Sequence, residues 1–219
     1  MQEALITIYY VVIVVAAIVS MLKYKQLDKA LRSISILLYL TVLAESLSYI
    51  SSGLDAYRIK NIIYHVFSII ELILVCMFFI FSIRAKSYKQ SILAVVIASF
   101  AIGILNIYFL QPIYTLNSNM LMFESFVIIT MSLYYIYWLV KKNITGNFFS
   151  NSHFIITLLL LLLWSTSFFF WAFIAVLYKE GWAYTEIVSY THLTINIIVY
   201  LGIGITLFYN SRNLLNHDH

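Results

Sequence analysis

The chain has 219 residues, of which 63% are hydrophobic and only 10% charged, and its mean hydropathy is +0.95. A soluble domain is about 45 to 50% apolar and about 25% charged, so these residues cannot supply a water-facing surface, and both a soluble enzyme and a disordered chain are excluded. The formal charge is +4; the single Cys excludes an internal disulfide framework and a cysteine-rich metal site, and one Pro with 6 Gly argues against transporter designs that depend on broken helices.

A membrane-crossing helix needs about 20 mostly apolar residues. Taken in chain order, seven segments meet this: Ala4 to Leu22, Ser33 to Gly53, Asn61 to Ile83, Ser91 to Leu110, Asn117 to Val140, His153 to Leu177 and Thr185 to Phe208. Their apolar runs are continuous, without the period-2 alternation of an outer-membrane barrel, so the expected fold is an all-α bundle of seven transmembrane helices. Connections are short, which leaves one transmembrane domain over residues 1–210 and a short tail over 211–219. No internal duplication is visible.

Basic residues set the expected orientation. Ten of the thirteen Lys and Arg fall at one set of span ends (Lys23, Lys25, Lys29, Arg32, Arg84, Lys86, Lys89, Lys141, Lys142 and Arg212), against Arg58, Lys60 and Lys179 at the other. Basic residues accumulate on the cytoplasmic side, so the N-terminus is expected outside and the C-terminus in the cytoplasm. The first span, preceded by Gln2 and Glu3, has no positive n-region and reads as a retained helix. Topology and anionic lipid explain the positive charge, and nucleic acid is not expected as a partner. Asn143-Ile144-Thr145 has the form of a glycosylation acceptor, but it falls in an expected cytoplasmic loop and reads as chance. His217, Asp218 and His219 read as a solvated terminus.

Ionisable groups at bilayer depth cost about 2.5 to 3.5 kcal/mol each on insertion scales and usually face a bundle interior. Glu45, Glu71 and Glu124 lie well inside spans, together with His65 and His192. At about 100° per residue, polar residues collect on single faces. These are Thr41, Glu45, Ser48 and Ser52 on the second span, and Asn61, Tyr64, Ser68 and Glu71 on the third. The fifth carries Asn117, Glu124, Met131, Tyr135 and Trp138; the sixth, Thr157, Trp164, Ser167, Trp171 and Tyr178; the seventh, Thr185, Ser189, His192 and Asn196. The first and fourth spans have almost no polar face apart from Asn106 and are expected at the periphery or in helix packing, the fourth with a small-residue face at Ser99 and Gly103.

Counting the 1.5 Å rise from the expected outer ends places Glu45 at roughly 12 to 14 Å, Glu71 at about 15 Å, and Glu124, Trp171 and His192 near 10 Å. A shared depth and inward faces are what an outward-facing polar pocket needs. The candidate ligand- or proton-binding residues are therefore Glu45, Glu71, Glu124, His192, Asn196, Trp171, Trp164, Tyr64 and His65. Against this stands the plainer reading of Ser, Thr, Tyr and Asn as interhelical hydrogen-bond glue, and of His65 as an interfacial or satisfied histidine. That reading is weakest for the glutamates, since Gln or Ser would serve without the desolvation cost.

No catalytic residues are assigned. His65, His192 and a glutamate could form a two-histidine, one-carboxylate site, but no HExxH spacing supports a metal-dependent hydrolase, and no GxSxG supports a serine hydrolase. Covalent retinal is excluded because the seventh span has no Lys. No cofactor is expected. A proton-coupled carrier of small solutes is an alternative, since buried carboxyls can carry protons, although Gly and Pro are scarce and no duplicated halves are seen. The favoured expectation is a multi-pass receptor or sensor that binds a small molecule from outside and signals through a partner, because the chain has no effector domain of its own.

The segment Asn61-Ile62-Ile63-Tyr64 through Glu71 to Phe78-Phe79-Ile80-Phe81, with His153-Phe154-Ile155 leading into Ser165-Thr166-Ser167-Phe168-Phe169, resembles uncharacterised bacterial seven-helix membrane proteins that are often encoded beside sensor kinases. The resemblance covers the third and sixth spans and extends toward the seventh. It implies a location in the bacterial inner membrane and a signalling partner there or in the cytoplasm. It implies no particular ligand or catalytic residue.

Overall fold

A computed structural model describes residues 2–54, 56–83, 86–142, 148–180 and 182–209. Arg84, the Asn143 to Thr145 triplet and the tail with Arg212, His217, Asp218 and His219 lie outside the described residues, as do the side chains of Lys86, Lys89, Tyr178 and Lys179. Seven α-helices account for nearly all of the chain: α1 (Gln2–Lys23), α2 (Lys29–Gly53), α3 (Tyr57–Ser82), α4 (Lys86–Leu105), α5 (Ser118–Lys141), α6 (Ser152–Glu180) and α7 (Trp182–Tyr209). No strand occurs among the described residues. All seven are long and apolar enough to cross a membrane, which makes this a multi-pass helical membrane protein.

Several helices begin before their apolar runs because polar residues cap them. Asp28 accepts a hydrogen bond from the Leu31 backbone N–H at 3.0 Å, so α2 starts at Lys29 and not at Ser33. The Asn151 side chain likewise accepts from the His153 N–H at 2.9 Å, at the start of α6. Asp28 also meets His153 Nε2 at 2.8 Å, fastening the α1–α2 connection to the first turn of α6. Burial opposes the Asp28 charge, but the bonds from His153 and the Leu31 N–H outweigh it and hold the carboxyl below its ordinary 3.8.

Packing partners define a ring. α1 packs on α2 and α7, α2 on α3, α3 on α5, α5 on α6, and α6 on α7, so six helices enclose a common interior. α4 stands outside, against α3 and α5. Its small face does the packing: a Cβ on Gly103 would touch Ile69 Cδ1 of α3 at 3.5 Å and Met120 Sδ of α5 at 3.9 Å.

Of the two positions expected for the first and fourth spans, α4 takes the peripheral one and α1 the helix-packing one. α1 buries Tyr9, Ile13, Ala16, Ala17 and Ser20, a stripe at helical spacing that faces the ring. Small residues let it approach α7 closely, where a Cβ on Gly204 would lie 3.1 Å from Ala16 Cβ. Van der Waals contact of this kind replaces the hydrophobic drive that lipid removes between helices.

Along its length the ring interior changes character. The half toward the α1–α2 and α5–α6 connections is solid, with Phe78, Phe79, Ile128 and Tyr135 fully buried and Leu139 and Leu160 nearly so. Phe78 and Phe79 meet edge to face at 5.1 Å, and Phe79 and Tyr135 are 6.2 Å apart. The other half contains a cavity.

Candidate functional site

The cavity lies where α3 and α5 begin. Its volume is about 350 Å³, in the range of small-molecule sites. Glu45 and Thr41 from α2, Asn61, Tyr64, Ser68 and Glu71 from α3, and Trp164, Ser167 and Trp171 from α6 line it. Asn196 and Tyr200 come from α7, Tyr9 from α1, and Asn117 from the residue before α5. From Asn61 to Glu71 the α3 face descends about 15 Å at 1.5 Å per residue. Four polar residues of α3, spaced at three and four positions, all reach the same space, as one helical face must.

The segment joining α4 to α5 forms one rim. Asn61 Nδ2 donates to the Tyr114 carbonyl at 2.7 Å, and His65 Nε2 lies 3.2 Å from the Thr115 carbonyl oxygen. Asn117 then donates from Nδ2 to Ser68 Oγ at 2.9 Å, tying the start of α5 to the second turn of the α3 stripe. Lys60 contributes a cation at this rim, on the first turn of α3.

Inside, the two lining carboxylates have different surroundings. Glu45 Oε1 accepts from the Tyr9 hydroxyl at 3.1 Å and Oε2 from the Tyr64 hydroxyl at 3.3 Å. Ser48 donates in turn to the Tyr64 oxygen at 3.0 Å. Lys60 is within electrostatic reach of Glu45. Glu71, only 7% exposed, faces the cavity from below with no hydrogen-bond partner among the described residues. The Trp164 indole N–H is also buried without a partner among them. Tyr9 and Tyr200 pack edge to face at 6.0 Å on the wall between α1 and α7.

Six of the nine residues singled out from the sequence line this one space: Glu45, Tyr64, Glu71, Trp164, Trp171 and Asn196. The other three do not. Glu124 is fully buried, and both its carboxylate oxygens lack a hydrogen-bond partner among the described residues. The expected shared depth fails for it because α5 is set deeper than α3. With Asn117 level with Ser68, Glu71 lies three residues further in and Glu124 seven, so Glu124 is about 6 Å deeper at 1.5 Å per residue. It sits beneath the cavity, within electrostatic reach of Glu71.

His192 is one layer behind the wall. Its Nε2 lies 3.0 Å from Ser167 Oγ, its ring stacks on Phe170 at 4.4 Å, and Asn196 donates to its carbonyl at 2.8 Å. His65 is buried against the rim segment as a satisfied histidine. The two histidines are thus held on separate partners, and no group of three His, Cys, Asp or Glu side chains is close enough to hold a metal ion among the described residues. The two-histidine, one-carboxylate arrangement is not assembled.

The sequence reading missed Tyr9 and Tyr200. Both are aromatic residues with a polar tip, Tyr9 on an otherwise apolar helix and Tyr200 one turn beyond Asn196 on the polar face of α7. Tyr9 could have been found from the 9, 13, 16, 17, 20 spacing of α1, which turns its hydroxyl to the same side as the small residues that pack.

Fold and site together define a helical membrane protein with a polar, aromatic-walled cavity at one end of the bundle. No family model matches the chain, and neither the curated proteins nor the solved structures yield a match.

Proposed function

We propose that this protein is a membrane receptor or sensor that captures a small molecule in the cavity between α1, α2, α3, α6 and α7 and reports its occupancy through the opposite end of the bundle. The observation that carries the reading is the one-sided build of the ring: a cavity lined by a carboxyl with no hydrogen-bond partner among the described residues at one end and a packed aromatic core at the other. A binding pocket needs the first, and a bistable packed core is what converts a local change into a discrete one.

The distribution of basic residues supports a cavity that faces away from the cytoplasm. Arg58 and Lys60 flank its mouth, whereas Lys23, Lys25, Lys29, Arg32, Lys141 and Lys142 lie at the opposite end. The cytoplasmic face is then the one that holds the Asp28–His153 clasp, and a signalling partner would read it there. A bacterial inner membrane is the setting that the resemblance of α3 and α6 implies.

A second reading, a proton-coupled carrier, is favoured by Glu124, whose unpaired carboxyl below Glu71 would suit a proton site. Proteoliposomes enclosing a pH-sensitive dye separate the two when a mixture of small amines, carboxylates and sugars is added outside. The receptor reading predicts no protein-dependent change in internal pH. A flux that Glu124→Gln abolishes would establish the carrier instead.

A further inference from the structure

The cavity lining has a definite charge character. It holds two carboxylates against one ammonium, and that ammonium belongs to Lys60 at the rim, near Glu45. Glu45 already accepts from two tyrosine hydroxyls. Glu71 accepts from none of the described residues, although it is nine-tenths buried and faces the cavity. Glu71 opens on the cavity, and the ligand group that best complements a carboxylate there is a cation that also donates hydrogen bonds.

The walls around Glu71 are aromatic. Trp164, Trp171, Tyr9, Tyr64, Tyr200 and Phe67 surround the space. Aromatic faces attract cations most strongly where water is excluded, and Trp is the best of them. An anion would meet two carboxylates and the negative faces of these rings, and a neutral donor would offer Glu71 a hydrogen bond without balancing its charge. Specificity here follows from what the site penalises as much as from what it attracts.

We propose that the cavity binds a small organic cation, an ammonium group on an apolar body, with the ammonium against Glu71 and the body between Trp164, Trp171 and Tyr200. The inference rests on the small-molecule pocket reading and adds the ligand class.

Three probes of nearly one shape test it: 2-phenylethylamine, 2-phenylethanol and phenylacetate, which differ at one end in charge. Purified full-length protein in nanodiscs is titrated by tryptophan fluorescence, with the Trp164→Phe, Trp171→Phe double variant as the baseline for partition into lipid. The amine is expected to bind about tenfold or more tighter than the other two. Glu71→Gln should bring all three within about twofold of one another, and Glu71→Asp should restore part of the preference.

If the alcohol or the carboxylate binds as tightly as the amine, or if the preference survives Glu71→Gln in a folded protein, the ligand class is overturned while the pocket stands. Failure of all three probes to produce a saturable signal would remove the pocket reading and this inference together.

Discussion

The two ends of the ring are built from similar residues for opposite purposes. At the sealed end, Phe78, Phe79, Tyr135 and Leu139 fill the interior, and Asp28 and His153 form a clasp on the outside of it, with Asp28 half in water and His153 buried. At the open end, Tyr9, Tyr64, Tyr200, Trp164 and Trp171 stand around a space instead of filling it, and one of the acidic groups there has no protein partner among the described residues. Aromatic content is therefore not what makes a core. What separates the ends is whether helix spacing lets the rings meet, and α5, set deeper than α3 by the Asn117–Ser68 bond, brings its bulk only to the lower half.

If the sealed end is a true core, truncating it should be the costlier change. Phe78→Ala should lower unfolding stability in detergent by about 3 to 5 kcal/mol. Tyr64→Phe at the open end removes hydrogen bonds on the cavity side and should cost about 1 kcal/mol or less. Equal losses would mean that the cavity end is packed as tightly as the core.

The contact of α1 with α7 sets the ring's closure. Gly204→Val would drive a side chain into Ala16 and should cost about 1 to 3 kcal/mol, read in the same unfolding assay. A neutral result would mean that α1 is not held in the ring.

Glu124 lies between the two ends, buried and without a hydrogen-bond partner among the described residues. Glu124→Leu should raise stability by about 1 to 3 kcal/mol, because it removes an unsatisfied buried carboxyl. Residues kept against stability are kept for use, and a loss of stability on this change would show the carboxyl to be structural.

The smallest expected effect is at the clasp. The Asp28 carboxyl is held below its ordinary 3.8, so in the folded state it loses its proton more readily than in the unfolded one. Its stabilising contribution is then complete above that ordinary value and is lost as pH falls through the folded one. In a plot of stability against pH, Asp28→Asn should lower the curve near neutrality by a small amount, since the side chain is 41% exposed, and leave its most acid end unchanged, so that the acid limb flattens.

Much of this was legible in the sequence because helix periodicity carries it. The seven apolar runs located every helix, and the 61, 64, 68, 71 and 164, 167, 171 spacings put those residues on faces that meet in the structure. What escaped depends on relations between helices. The axial offset of α5 is fixed by a side-chain bond across helices, so counting residues from the end of its own span placed Glu124 too near the outer surface. His192 falls on the correct face of α7 but is held behind the wall by Ser167 and Phe170, which no single-helix pattern encodes. Tyr9 was passed over because a tyrosine near a span end reads as membrane interface, and only its partner Glu45 reveals the inward hydroxyl.

The central claim is that Glu71 faces a space that water can enter from the side away from the cytoplasm, and that Glu124 does not. Thiol accessibility tests this directly: with Cys76→Ala as background, Glu71→Cys and Glu124→Cys are exposed in intact cells to a membrane-impermeant methanethiosulfonate. Rapid modification of Glu71→Cys and none of Glu124→Cys is the predicted result. Protection of Glu71→Cys in intact cells, or labelling of both positions alike, would contradict it.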